Sequence, residues 1–378
     1  METRELQVVA GTVIALRLFD VADSIDLASA ETLWGQQQRP DGPRSPGSRG
    51  RLVSTPPKAV AFGVAPLDIA LEPVLVRMDN ADVWAGATAR LYDFGVTRLA
   101  LHFTADALPW SDFTKRVIAV DRSVGPAADS MIWRTMLDHL CLTIARALLR
   151  PTPDRLEEDY LVATVRAFDE APDAEALLQR IDLIPLLSGE ERPLSESARR
   201  DLSRQRFSYY ADDLVVLTWD RAFIYEPRGD SDVMDVLDVA NAQLLEMRYY
   251  DQLLDAELPN MYNLVQRMQR TRPLLGSRRF ADLARRLYTL VAEVTELREK
   301  VDNALQVTED VYLARIYTAA HDLFRVASVN AAVDRKLAII RDTYTALYDE
   351  ASSGRAALME AAIVVLIVVE IVLAIVRP

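Results

Sequence analysis

Seven arginines, Arg267, Arg270, Arg272, Arg278, Arg279, Arg285 and Arg286, crowd into residues 267–286, a stretch whose only acid is Asp282. In a chain of net charge −13 this is a local reversal of sign. Planar guanidinium forks suit phosphate, so the cluster is a candidate contact for RNA, a ribosome or anionic lipid headgroups. Its plain alternative is salt-bridge exchange with the acidic helix that precedes Pro259. Other chemistry is harder to find. His102, His139 and His321 are scattered, and none stands at metal-ligand spacing from another or from the single cysteine, Cys141. Asp93-Phe94-Gly95 copies the magnesium-binding tripeptide of protein kinases without their glycine-rich or catalytic loops, which makes it a turn. No GxSxG, GxxxxGK[ST] or GxGxxG occurs. The expectation is therefore a protein that is not an enzyme, with no cofactor and no metal.

The elements that would carry these residues divide into two regions. Residues 5–20 are β-branched and apolar without a helical stripe, which predicts a buried strand. Residues 36–57 are dense in Pro, Gly and Ser and predict a flexible loop, set at 35–58 within the head. Strands are expected over 59–71, over 87–103 with a turn at 93–95, and over 160–168. A helix is expected over 131–149, and a hairpin joins 214–218 to 222–225. Strands, helices and hairpins without a repeated βαβ period favour an α+β head, residues 1–228.

From 229 the sequence is helical, opening with an amphipathic stretch that should stop before Pro259. Leu283, Leu287, Leu290, Val294, Leu297 and Val301 keep heptad spacing. So do Ile316, Ala319, Leu323, Val326, Asn330, Val333, Leu337, Ile340, Tyr344 and Leu347. That persistence predicts a coiled-coil-like αα-hairpin stalk over 229–355, in which Asn330 would fix register or oligomer state.

Residues 361–376 are almost unbrokenly apolar, and with 356–360 they would make a helix of about 31 Å, enough for a hydrocarbon core of roughly 30 Å. A single-pass transmembrane helix is thus expected over 356–377. Each Ile, Leu or Val favours insertion by roughly 0.3–0.6 kcal/mol, against roughly 2.5–3.5 for Glu370. Glu360 opens the span, Glu370 interrupts it, and Arg377 follows it. Glu370, protonated, would hydrogen-bond a second copy, which makes the expected partner a homo-oligomer in the membrane. More positive charge before the span than after it, and an N-terminus without an apolar leader, place the body in the cytoplasm and the tail in the inner membrane. Arginine carries nearly all the basic charge, lysine occurring only at Lys58, Lys115, Lys300 and Lys336, which suggests a GC-rich bacterial genome.

The segments LREKVDNALQ, EDVYLARIYTAAHDLF, DRKLAIIRDTYTALYDE and LMEAAIVVLIVVEIVLAI resemble the "required for meiotic nuclear division" family, whose terminal pattern places two glutamates ten residues apart, as at Glu360 and Glu370. The resemblance implies a membrane-anchored protein with an α+β head and a helical stalk. Eukaryotic members support membrane-associated translation. The reading that follows is a tail-anchored scaffold or tether. One alternative is an enzyme or small-ligand-binding head displayed on the membrane; another is a cell-division or membrane-organisation factor.

Overall fold

The computed structural model describes residues 4–37, 60–62, 64–79, 81–125, 128, 131–152, 156–190, 192–229, 232–269, seven positions between 285 and 295, 305–307 and 310–376. Two compact units emerge: residues 1–246 with 300–327, and residues 247–299 with 328–378.

The first unit is a mixed α/β domain built on β1 (Gln7–Asp20), the strand expected over 5–20. Alternation is absent from its sequence because both faces are buried. Val13, Ala15 and Phe19 lie on one side, and Ile14, Leu16 and Leu18 on the other. Around it a nine-stranded sheet runs in the order β10 (Gln205–Phe207), β11 (Leu214–Leu217), β12 (Arg221–Tyr225), β9 (Glu157–Phe168), β1, β6 (Val96–Thr104), β5 (Ala81–Leu91), β4 (Leu67–Met78), with β7 (Leu108–Pro109) added to the start of β1. Every pairing is antiparallel except β12 with β9. Separate two-stranded pairs join β2 (Ala22–Ile25) to β8 (Leu148–Pro151) and β3 (Val60–Phe62) to β13 (Leu305–Val307).

On the face of Val13 and Phe19, the core takes Phe113, Val117 and Val120 from α2 (Trp110–Val124) and Trp133 and Leu137 from α3 (Met131–Thr143). Each such side chain, wholly buried, contributes about 1.5–3 kcal/mol. The other face is covered by the start of α7 (Val233–Gln269), tied down through Asp235 and Asp238, and by α8 (Val311–Leu323), after which Phe324 meets the Tyr160 ring edge-on at 5.5 Å.

Asp93-Phe94-Gly95 is the tight turn between β5 and β6. Tyr92 N–H donates to Val96 O at 2.9 Å, and Gly95 takes φ +103°, where an added Cβ would lie 1.7 Å from Ala22 O. No L side chain fits there.

In the second unit, α7 continues past Pro259 to Gln269 rather than stopping at the proline. The expected single seam over 316–347 is two helices. Arg325, at φ 57°, separates α8 from α9 (Val326–Val376). Ile316 and Ala319 are buried in the first unit, whereas Val333, Leu337 and Ile340 are buried in the second. There Lys336 Nζ donates to Asp251 at 2.7 Å and Tyr288 lies 5.9 Å from Tyr344. The α+β head with a coiled-coil stalk and a membrane anchor is thereby corrected to a mixed α/β domain plus several helices, because a heptad stripe needs only an apolar surface opposite it, and for Ile316 and Ala319 that surface belongs to the sheet domain.

The anchor is corrected as well. Among the described residues no helix is long and apolar enough to cross a membrane. The transmembrane assignment of 356–377, the membrane partner, the inner-membrane location and the tail-anchored tether all fall with it.

Candidate ligand-binding groove

The sheet ends at β10, whose Gln205, Arg206 and Phe207 pair with Leu217, Val216 and Val215 on one side. Among the described residues no strand pairs with its other side. Beside this edge runs α8, started by Asp310, whose carboxylate accepts from Tyr312 N–H at 2.8 Å and Leu313 N–H at 3.3 Å. Leu313, Ile316, Ala319 and Ala320 turn the helix inward. The neighbouring stripe, Val311, Ala314, Arg315, Thr318 and Asp322, faces Gln205 and Phe207 across a groove of ≈ 450 Å³.

The helix is held in place by Gln243 of α7, whose Oε1 accepts from the Tyr317 hydroxyl and, at 2.6 Å, from His321 Nε2. Burial pulls the His321 pKa down, with Asp322 opposing, which favours the neutral ring that makes this contact. At the N-terminal end of α8, Tyr209 lies 5.4 Å from Tyr312 and 4.8 Å from Tyr210, and Arg228 sits 4.5 Å over the Tyr210 ring. Asp213 fixes that loop by accepting from the N–H groups of Tyr209 at 2.7 Å and Tyr210 at 3.0 Å. The Tyr312 hydroxyl is pushed up by burial and by Asp213 and Glu226.

Two charged side chains line the groove. Arg315 stacks over Phe207 at 5.8 Å, Asp322 lies two turns further on, both are exposed, and neither makes a salt bridge among the described residues.

Elsewhere in the head, two networks pair buried charges with one another. Arg17 contacts Asp159 at 3.8 Å and Glu157 at 3.6 Å, donates to the carbonyls of Gly125 and Ala128 at 3.1 Å, and lies 5.5 Å over Trp133. Arg221 binds Asp121 at 2.7 Å and Asp220 at 3.4 Å and donates to Leu186 O at 3.2 Å. Burial pushes Asp159 up to about 6 despite Arg17, and it also raises Asp121 and Asp220 despite Arg221. On the opposite face Arg90 and Arg98 are directly paired across β5 and β6 and share Asp238, at 3.4 and 3.1 Å. Arg90 also holds Asp68 at 2.7 Å and Asp235. These networks join strands to α2 and α7, and their charges answer one another.

The residues singled out from the sequence lie elsewhere. Arg267 is in the last turn of α7 and Arg285 is helical and exposed, while Arg270, Arg272, Arg278, Arg279 and Arg286 lie outside the described residues. Glu360 is exposed on α9, Glu370 belongs to the same helix, and Arg377 lies outside the described residues. Asn330 is half-buried on α9, its Oδ1 without a hydrogen-bond partner among the described residues. The loop expected at 35–58 begins within α1 (Leu27–Gln37), and its remainder lies outside the described residues. The three histidines remain apart: His102 meets Thr88 at 3.1 Å, His139 meets Trp34, and His321 meets Gln243. Among the described residues no group of three or more His, Cys, Asp or Glu could hold a metal ion. The groove residues were not legible as a set, because 205–207 and 311–322 come together only in the fold.

The fold and groove thus define a mixed α/β domain with a lateral cleft between β10 and α8. Residues 10–232 match the family described as "Uncharacterized protein MJ0711, N-terminal domain", and the chain belongs to that family. Similar to it is the uncharacterized protein MJ0711 of Methanocaldococcus jannaschii, 25% identical over 227 residues, which are 59% of this chain and 68% of that protein. No solved structure matches. This membership replaces the resemblance to the "required for meiotic nuclear division" family, which rested on residues 205–376, the strand pair at 214–225 included, and only loosely on the amino-terminal sheet. The archaeal relative also overturns the bacterial assignment, since arginine-rich composition reports a genome's base bias and not a lineage.

Proposed function

We propose that the sheet domain is a small-ligand-binding module and that its groove between β10 and α8 binds without catalysing a reaction. The supporting observation is the groove itself: ≈ 450 Å³, lined by Phe207, Val311 and Ala314, and flanked by Arg315 and Asp322, which make no salt bridge among the described residues. That volume falls in the range of about 300–1,000 Å³ typical of small-molecule sites, and an apolar floor with a few polar groups is their usual lining. The groove's one hydroxyl, on Thr318, donates to Ala314 O at 2.9 Å and serves the helix. Gln205, Arg315 and Asp322 are suited to orienting a ligand.

Fluorescence titration with anilinonaphthalenesulfonate, which carries an apolar body and one anion, tests this. Wild-type protein should brighten the probe, and Ala314→Trp, which fills the groove, should remove that component of the signal. Leu142→Ser, which removes an exposed leucine of α3, should leave it intact. A titration unchanged by Ala314→Trp would refute the reading.

A further inference from the structure

We propose that the ligand of this groove is a short peptide with free termini, about three residues long, lying extended along β10 with its carboxylate on Arg315 and its ammonium on Asp322. This rests on the groove being a binding site and goes on to name its occupant.

Three observations converge on it. The outer side of β10 pairs with no strand among the described residues, so its main chain offers the alternating donors and acceptors to which an extended peptide adds. Arg315 and Asp322 stand seven residues apart on one stripe of α8, about 10.5 Å at 1.5 Å per residue. Three extended residues span about 10 Å at roughly 3.3–3.6 Å each, so the two ends of a tripeptide reach both charges. The charges are opposite, exposed and without salt bridges among the described residues, and a guanidinium fork grips a carboxylate through two parallel bonds.

Alternate side chains of such a peptide point to the same face of the sheet. Residues one and three would therefore rest on the surface made by Phe207, Val311 and Ala314, where the alanine leaves room for them.

Calorimetric titration of the full chain with the tripeptide Leu-Ala-Leu tests the proposal. The free peptide should bind; N-acetylation or C-amidation should each weaken it tenfold or more; and Leu-Ala should bind more weakly than Leu-Ala-Leu. Arg315→Glu should abolish binding of the free peptide, Arg315→Lys should retain part of it, and Arg315→Glu with Asp322→Arg should recover it in the reversed direction. Both side chains are exposed, so these variants keep the core intact, which their thermal unfolding will verify. Binding that survives blocking of both ends but is lost in Ala314→Trp would overturn terminus recognition and leave the groove as a binding site. Anilinonaphthalenesulfonate binding that Ala314→Trp removes, without any tripeptide binding, would do the same. Failure of both ligands would overturn both readings.

Discussion

Asp20 closes β1 with its side chain almost wholly buried, at 2% exposure. Among the described residues its Oδ2 has no hydrogen-bond partner, and its Oδ1 has only the Thr152 hydroxyl at 3.5 Å. Arg150, the nearby cation, is engaged with Asp23 at 3.2 Å, and Asp23 itself repels a second negative charge. Desolvation first and Asp23 second therefore raise the Asp20 pKa from 3.8 to about 7. At about 1.4 kcal/mol per unit, a shift of about three units makes the ionised form cost up to about 4 kcal/mol of folding free energy. The sign follows from proton counting. Below the unfolded value both states hold the proton and nothing is lost. Between the two values the unfolded state releases its proton while the native state keeps it, so stability falls as pH rises. Above the native value the loss is complete. Asp20→Asn cannot ionise, so its advantage over wild type should be near zero at about pH 4, grow through neutrality and level off at up to about 4 kcal/mol near pH 8. Urea unfolding followed by tryptophan fluorescence at several pH values measures the difference. Wild-type and variant curves that stay parallel across this range would show that Asp20 is not desolvated in the way described.

Arg221→Met removes the cation from a pair whose side chains are 7% and 8% exposed, leaving Asp121 with its charge uncompensated. The expected loss is about 3–5 kcal/mol in thermal or urea unfolding, with a smaller loss when Asp121→Asn is added, and a single-variant loss below about 1 kcal/mol would contradict the burial of this pair. Two glycine substitutions should act in opposite directions. Gly95→Ala forces a Cβ to 1.7 Å from Ala22 O at φ +103° and should lower the melting temperature sharply, whereas Gly35→Ala, exposed in α1 with nothing within 4 Å, should gain about 0.5–1 kcal/mol. Equal melting temperatures for the two would remove the turn argument.

Local chemistry wrote several elements of the head plainly into the sequence. The β-branched run at 5–20 is β1, the apolar run at 160–168 falls within β9, and Trp219-Asp220 joins β11 to β12. The turn at 93–95 is where only glycine fits. Helix α2 is also legible in the sequence: Phe113, Val117, Val120 and Val124 recur at helical spacing and all are buried. What could not be read is pairing across distance. Arg17 sits in an apolar run with nothing nearby to show that Asp159 lies opposite it in the register of β1 and β9. The heptad stripe marked Ile316 and Ala319 as buried positions without indicating which surface buries them. The terminal run showed hydropathy, and hydropathy alone suggested lipid.

The same limitation explains why the arginines singled out first were not those that frame the groove. Clustering in sequence measures local composition, whereas a binding charge is distinguished by what the fold leaves unanswered. Arg17, Arg98 and Arg221 are buried and Arg90 is half-buried, and each meets carboxylates from another strand or helix. Removing a partner from such a network exposes a desolvation cost, which makes these residues structural. Arg315 and Asp322 lie in the open on one helical stripe, beside a strand whose outer side pairs with no other strand among the described residues, with the length of three extended residues between them. Water satisfies both charges in the free protein, so holding them apart costs the fold little, and a ligand that bridges them gains both contacts together with the main-chain bonds of the edge. Accessible opposite charges beside an apolar floor are the physical ground for placing binding at β10 and α8 rather than in the buried ion-pair networks.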